Sequence, residues 1–271
     1  MKPEGRATKA RQYVDSLAAS GRYLFGLADA QKALSVSQAA AKLALLRLSK
    51  QGIIATPARG FYAVVPPEYR SIRCLPADQF IPALMRALGL NYYAGLLTAA
   101  QYHGAAHQRP QAFQVLLERP RLPIACGNVR VVFVTRKRLS EVPIQSINTP
   151  RGTVLASTPE ATAVDLVGYP HRAGGLDNVG TVLSELAGKL DPEKLAAAAA
   201  TAPIPWAQRL GYLLELVGAS EKTTGLKDRV RERARESVPL LVNAPRPSGR
   251  RHVPRSEGWK LYINTRVEPE L

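Results

Sequence analysis

Apolar residues in the first part of the chain recur at helical spacing and then give way to short β-type runs. This pattern predicts three helices and then two strands, over residues 7–19, 27–34, 38–51, 53–56 and 60–65. Ser37 is placed to cap the third helix through its hydroxyl, and Gly52 is placed to end it. Three helices followed by a β-hairpin is the element order of a winged helix-turn-helix.

The rest of the chain mixes longer apolar helices with short strands. Helices are predicted over residues 75–88, 92–106, 159–167, 176–188, 192–200, 206–218 and 223–235, and strands over 113–117, 129–135, 152–156 and 259–264. Pro66 and Pro67 break the chain, and Ser71 to Pro76 has the composition of a linker. We therefore predict an α+β protein, with a winged helix-turn-helix in residues 1–70 and a larger mixed α/β domain in residues 71–271.

The charge of the chain is strongly basic and unevenly distributed. The 271 residues carry a formal net charge of +16, and residues 1–70 hold eleven Lys or Arg against four acids, a net charge of +7. Such a surface attracts polyanions, so nucleic acid is the expected partner. No run of about 18 apolar residues is present to span a membrane. With only two cysteines and no secretory leader, we expect a cytoplasmic protein.

The third helix of a winged helix-turn-helix enters the major groove, and its N-terminal residues meet base edges. Gln38 is suited to adenine, and Lys42 is suited to guanine or phosphate. Arg47 and Lys50 suit phosphate contacts further along the helix, and an arginine at the wing tip suits the minor groove or the backbone. The predicted DNA-binding residues are Ser37, Gln38, Lys42, Arg47, Lys50 and Arg59.

Two leucines of the third helix do not fit this prediction. The predicted core stripe is Ala41, Leu45 and Leu48, and Leu43 and Leu46 fall near the opposite face. That face either packs on the second domain or contacts a second protomer, and base readout is then confined to the helix start and the wing. For Tyr62 in the wing, a core position is favoured over a phosphate contact.

Several segments resemble the AbiEi antitoxins of abortive-infection systems. The winged helix, at residues 24–65, ends in LLRLSKQGIIATPARGFYAVV, which is similar to the N-terminal domain of that family. The larger domain resembles it in a series of blocks that occur in the same order: YYAGLLTAAQYHGAAHQRPQAFQVLL (92–117), TPRGTVLASTPEATAVDLV (149–167), GGLDNV (174–179), QRLGYLLE (208–215) and WKLYINTRVEP (259–269).

The resemblance implies a type IV antitoxin that also represses its own operon. In such systems the N-terminal domain binds inverted repeats in the promoter, and the larger domain counteracts a nucleotidyltransferase-like toxin without a stable complex. A winged-helix regulator or nucleic-acid-binding protein without a toxin partner is the alternative.

An enzyme is the first rival interpretation. His103 and His107 have the i, i+4 spacing of a zinc site, but the glutamate of HExxH is missing, so structural histidines are favoured. Glu160 is better explained as a carboxylate at a helix start, and Asp165 as a partly buried residue, than as a pair for acid–base catalysis. Cys126 is better explained as a small buried residue than as a nucleophile. We predict no enzyme activity, no metal and no cofactor.

A contact of the larger domain with RNA or protein is the second rival. Basic segments at 119–121 and 136–138, together with a loop at 245–255 that holds Arg246, Arg250, Arg251 and Arg255, are candidates for such a contact. Solvated loops and strand ends are the favoured interpretation. A winged helix favours duplex DNA, because the major groove of A-form RNA is too narrow for a helix.

Overall fold

The structure is a computed structural model, and it describes residues 3–105, 110–242 and 253–270. The α-helices are α1 Pro3–Ala19, α2 Leu27–Leu34, α3 Gln38–Lys50, α4 Ala77–Ala87, α5 Leu96–Tyr102, α6 Pro159–Gly168, α7 Leu176–Leu186, α8 Pro192–Ala200, α9 Ile204–Leu216 and α10 Thr224–Arg233. The strands are β1 Leu24–Gly26, β2 Ile54–Ala58, β3 Phe61–Val64, β4 Tyr93–Ala94, β5 Phe113–Leu117, β6 Ile124–Cys126, β7 Val129–Thr135, β8 Ile144–Thr149, β9 Gly152–Ser157, β10 Val238–Pro239, β11 Arg255–Ser256 and β12 Leu261–Tyr262.

The chain divides into two compact units. Unit 1 comprises Met1–Tyr92, Gln111–Thr135 and Asn148–Val154, and unit 2 comprises Tyr93–Pro110, Arg136–Ile147 and Leu155–Leu271. The α+β class and the N-terminal winged helix-turn-helix followed by a larger mixed part are confirmed. The predicted domain boundary at residue 70 stays a prediction.

The winged helix at the start of unit 1 follows from local signals in its sequence. The Ser37 hydroxyl accepts a hydrogen bond from the Ala40 amide at 3.3 Å, so it caps α3 as predicted. Gly52 has a φ of +71°, the left-handed conformation that ends a helix at low cost. β2 and β3 pair antiparallel, and the unpredicted three-residue strand β1 adds to β3, giving the sheet order β1-β3-β2.

A small core joins the helices of the winged helix to its sheet. The Phe25 ring contacts two tyrosine rings of this core: it is stacked on Tyr62, with 5.5 Å between the ring centroids, and it forms a T-shaped contact with Tyr13, with 5.6 Å between the centroids. Its buried members are Ala10, Val14, Leu17, Phe25, Ala30, Leu45, Leu48, Ile54, Tyr62 and Val64. The predicted core position of Tyr62 is therefore confirmed, and burial raises the pKa of its phenol above the ordinary value.

The rest of unit 1 contains α4 and a three-strand arrangement. β7 pairs parallel with β5 and antiparallel with β6, a strand that the sequence did not predict. The segment from Ser71 to Pro76, which has the composition of a linker, lies within unit 1 and is partly buried. Cys74 and Leu75 are fully buried, and the Ile72 carbonyl accepts the Asn128 amide at 2.8 Å. Buried apolar side chains and a backbone bond fasten this segment to the end of β6.

Unit 2 is organised around α6, which contacts α5, α7, α8 and α9. Every residue from Glu160 to Val167 is buried, so the helix is enclosed on all sides. The Thr158 hydroxyl accepts the Ala161 amide at 3.3 Å, which confirms the predicted helix start. α10 packs on α8 and α9.

Some predicted elements of unit 2 are shorter than expected. The helix predicted over 92–106 is α5 in the structure, and the strand predicted over 259–264 is only β12, which pairs with β10 and β11. β8 was not predicted. Trp259 just before β12 lies so close to Gly211 of α9 that a Cβ there would stand 2.0 Å from its ring, so only glycine fits.

Candidate nucleic-acid interface

The six predicted DNA-binding residues lie on the outside of the winged helix. Gln38 is the first residue of α3, directly after its cap Ser37, and both side chains are exposed. Lys42, Arg47 and Lys50 are exposed further along the same helix. The core stripe predicted for α3 is also confirmed, because Ala41, Leu45 and Leu48 are its buried residues. The structure therefore puts the candidate side chains opposite the core, where a ligand can reach them.

The exposed face of α3 is positive and contains no acid. The helix sequence QAAAKLALLRLSK holds two lysines and one arginine, with no aspartate or glutamate. Within the part of the chain that the structure describes, Lys42, Arg47 and Lys50 form no ion pair. Their charges are therefore not neutralised by described neighbours, which is the state that favours contact with phosphates.

The wing presents one further cation at its tip. Arg59 is exposed, and it is followed by Gly60, whose φ of +76° permits the tight turn between β2 and β3. The Leu27 amide donates to the Gly60 carbonyl at 3.0 Å, which ties the tip to the start of α2. Pro57 lies where the register of β2 against β3 shifts, a position that does not need its missing amide.

Leu43 and Leu46 are exposed on the same face of α3 as the cations. Their exposed fractions are 58% and 51%, so more than half of each leucine is open to solvent in a single chain. Two leucines three residues apart on one exposed helix face form a small apolar patch, which is more informative than a single exposed leucine. Sequence reasoning identified both leucines but gave them no role in DNA recognition.

Arg136 is not part of an exposed basic patch, so neither its candidate contact with nucleic acid nor the favoured solvated position is correct. Its side chain is 3% exposed, and its Nε donates to Asp165 at 3.0 Å. The guanidinium also donates to the Thr201 carbonyl and hydroxyl, and it lies 4.9 Å from the centroid of the Trp206 ring. The physical reason is Asp165, whose buried carboxylate requires a compensating cation.

Asp165 is more deeply buried than its sequence position indicated. It is fully buried on α6 and accepts hydrogen bonds from Arg136 and, at 2.7 Å, from the Tyr93 hydroxyl. Burial raises the pKa of Asp165, while Arg136 and Tyr93 oppose that rise. Burial and the neighbouring carboxylate hold the pKa of Tyr93 well above its ordinary value. The cluster is an internal ion pair and not an acid–base pair at a surface.

Other candidate basic residues remain accessible. Arg119 and Lys137 are exposed, and Arg138 is exposed but paired with Glu141. The Arg121 guanidinium lies 5.6 Å from the centroid of the Phe133 ring. Arg255 pairs with Glu257 at 3.3 Å. The loop arginines Arg246, Arg250 and Arg251 lie outside the described residues.

The described residues that were considered for an enzyme are buried in the fold. His103 is buried, and its ring Nε2 bonds to the Ser157 carbonyl at 2.8 Å, while desolvation lowers its pKa. His107 lies outside the described residues. Glu160 accepts the Asp191 amide at 3.2 Å, and Cys126 is buried. Among the described residues, no three His, Cys, Asp or Glu come together as metal ligands.

Sequence reasoning missed two basic residues of unit 1. Lys32 is exposed in the last turn of α2, just before the turn to α3, and its position in the helix-turn-helix was the available signal. Arg151 lies 3.6 Å from the centroid of the Tyr23 ring and pairs with Glu68 at 2.7 Å. Nothing in the sequence indicates that contact, because these residues are far apart along the chain.

No helix within the described ranges has the length and hydropathy needed to cross a lipid bilayer.

The element order and the exposed basic third helix define a protein of the winged helix-turn-helix class, in which a larger α/β part follows in the sequence. Residues 12–65 match the family described as transcriptional regulator, AbiEi antitoxin, and residues 93–216 match the AbiEi antitoxin C-terminal domain. The chain belongs to the AbiEi antitoxin family. The family resemblance found in the sequence is thereby confirmed.

A solved structure supports the fold over nearly the whole chain. The crystal structure of the RV2827C protein from Mycobacterium tuberculosis is similar, with a TM-score of 0.67 and 20% sequence identity. The match covers 94% of this chain and 90% of that protein. At this identity the likeness concerns the fold alone. The comparison with curated proteins finds no match.

Proposed function

We propose that this protein is a transcriptional regulator that binds duplex DNA through α3 and the wing. The observation that carries the proposal is the exposed face of α3, which presents Lys42, Arg47 and Lys50 without an acid. Arg59 at the wing tip provides a second contact. Such a surface neutralises phosphates, while Ser37 and Gln38 at the helix start stand where base edges are read.

The salt dependence of binding tests this proposal. The full chain is titrated onto duplex DNA from immediately upstream of its own gene, over a range of salt concentrations. Lys42→Ala and Arg47→Ala should each weaken binding and lower the slope of log K against log salt by about one, since each removes one phosphate contact. Lys194→Ala, an exposed lysine on α8, is the matched control. Equal effects of all three variants would contradict the assignment to α3.

The same duplex series distinguishes DNA from RNA as the partner. RNA is the other nucleic acid to test, because exposed cations are also present outside the winged helix, at Arg119, Lys137 and Arg138. An RNA duplex of matching sequence should compete poorly with DNA, because a helix such as α3 does not enter the major groove of A-form RNA. Competition by RNA at equal strength would favour RNA as the ligand.

We further propose that the protein is a type IV antitoxin that represses its own promoter at inverted repeats and counteracts a nucleotidyltransferase-like toxin without a stable complex. Membership of the AbiEi family supports this proposal. The winged helix would repress, and the larger part would neutralise the toxin. Both activities belong to the cytoplasm, and neither requires catalysis by this chain.

Point variants of the full chain separate the two activities. Unit 1 contains residues on both sides of residue 70, so a cut there would divide a compact unit, and intact variants are preferable to fragments. The Lys42→Ala, Arg47→Ala double variant should lose promoter repression and still restore growth when the toxin gene beside its own is expressed. Loss of both activities in a folded variant would contradict the division of labour.

A regulator without a toxin partner is the alternative. If no neighbouring gene is toxic on expression, and the protein still represses a promoter, the alternative holds. Turnover of a nucleotide by the purified protein, lost on changing His103 or Asp165, would show an enzyme instead.

A further inference from the structure

We infer that Leu43 and Leu46 read thymine methyl groups in the major groove. The inference rests on the proposed binding of duplex DNA by α3. It assigns a role in sequence specificity to the two leucines, whose exposure is not explained by phosphate contacts of the neighbouring cations. Both side chains are more than half exposed, at 58% and 51%.

The leucines are embedded in the positive face of α3. Leu46 is four residues after Lys42 and four before Lys50, and Leu43 is four before Arg47. Residues four apart are neighbours on a helix surface, with Cβ atoms about 5–6 Å apart. Leu46 therefore lies between two lysines and Leu43 lies beside an arginine, so a partner that contacts both leucines also meets three positive charges.

Duplex DNA is the partner that complements both the cations and the leucines of this face. Its phosphates complement Lys42, Arg47 and Lys50, and α3 offers no acid that would oppose them. Between the phosphates, the C5 methyl of thymine is the apolar group that the major groove presents. A helix that fills the groove with leucines among its cations gains by placing them against thymine methyls.

A second copy of the chain fits the same face less well. In a two-fold symmetric interface the same patch meets itself. Lys42, Arg47 and Lys50 of one copy would then approach the same cations of the other. Like charges at such a contact oppose association, and no acidic residue of α3 relieves them.

The test exchanges thymine for uracil, which differs only by the missing methyl. The full chain first selects its preferred duplex from a randomised DNA library. Each thymine of that duplex is then replaced by deoxyuridine, one at a time. At the contacted positions the wild-type affinity should fall about fourfold per methyl, the factor that burial of one such group gives. At other positions it should stay unchanged.

Variants assign the effect to the leucines. Leu43→Ala and Leu46→Ala should each bind thymine and uracil equally at one contacted position, while the salt slope stays that of the wild type. Leu122→Ala is the matched control, because Leu122 is 85% exposed outside α3 and should keep the discrimination. Lys42→Ala should show the converse result, a lower salt slope with the discrimination retained.

Three results would overturn the inference. If the wild type binds a selected duplex in a salt-dependent way but treats thymine and uracil alike at every position, the leucine role is wrong and the proposed function stands. If no duplex is selected and none is bound, the proposed function fails with it. If the leucine variants change the sedimenting mass and keep the discrimination, the face is a protein interface.

Discussion

Arginines lie in two different environments in this protein, as a comparison of α3 with the interior of unit 2 shows. Arg47 on α3 is exposed and forms no ion pair with any residue that the structure describes. Arg136 in unit 2 is buried against Asp165, Thr201 and Trp206. Both belong to basic stretches of the sequence. A basic stretch of sequence therefore indicates an exposed, positively charged surface only where no buried carboxylate forms an ion pair with its arginine or lysine.

Removing the buried carboxylate should produce the largest effect. Asp165→Ala leaves Arg136 charged and unpaired in the interior, which should lower the free energy of unfolding by about 3–5 kcal/mol. Urea denaturation of the full chain measures it. Asp15→Ala, which removes the exposed partner of Arg11 on α1, is the control and should cost only about 0.3–0.5 kcal/mol.

A double variant shows whether the charge itself is responsible. Arg136→Met combined with Asp165→Leu removes both ions and should recover most of the loss. If the double variant is no more stable than Asp165→Ala, the cluster contributes through its hydrogen bonds and packing, and the contrast with α3 loses its electrostatic basis.

The helix caps should show a smaller effect that separates the two regions by function. Ser37→Ala and Thr158→Ala each remove a capping hydrogen bond, and the two bonds have the same donor–acceptor distance of 3.3 Å. Each substitution should lower the free energy of unfolding by about 1 kcal/mol. Only Ser37→Ala should also weaken DNA binding, because it lies at the start of α3. An equal loss of DNA affinity in Thr158→Ala would contradict the assignment. Ser37→Asn should restore the cap.

The pH dependence of stability should show the smallest effect, and it belongs to unit 2. Burial lowers the pKa of His103, so the folded protein keeps this ring neutral at a pH where the unfolded chain, with an ordinary value of 6.5, takes up a proton. The unfolded state then binds more protons, and stability falls as the pH falls below 6.5. Thermal unfolding of wild type and His103→Gln at pH 8 and pH 5.5 measures the difference. An unchanged pH dependence in the variant would refute the role of His103.

The winged helix was largely predictable because its signals are local. Ser37, Gly52 and the turn at Gly60 each specify one helix or strand end from adjacent residues. The three-residue strand β1 was missed because it is too short to show a period. The exposure of the six candidate residues follows from the same helical pattern, while their contacts with bases and phosphates stay a prediction.

The interior of unit 2 was less predictable because its determinants are distant in sequence. Arg136 directly follows β7 and Asp165 lies on α6, and only the fold brings them together. In the structure Val134 is buried, Thr135 exposed and Arg136 buried, so the alternation of an extended strand continues past the end of β7. The basic neighbours Lys137 and Arg138 obscured that pattern.

The packing of Trp259 against Gly211 also determines what can be seen by fluorescence. The two tryptophans of the chain, Trp206 and Trp259, both belong to unit 2, and the winged helix contains none. Trp259 is almost fully buried, with its indole N–H donating to Glu215 at 2.7 Å and the Lys227 ammonium 5.7 Å from its ring centroid. Selective excitation of indole therefore reports on unit 2 alone. A change in that emission when duplex DNA is added would come from a response of unit 2, with no label needed to detect it.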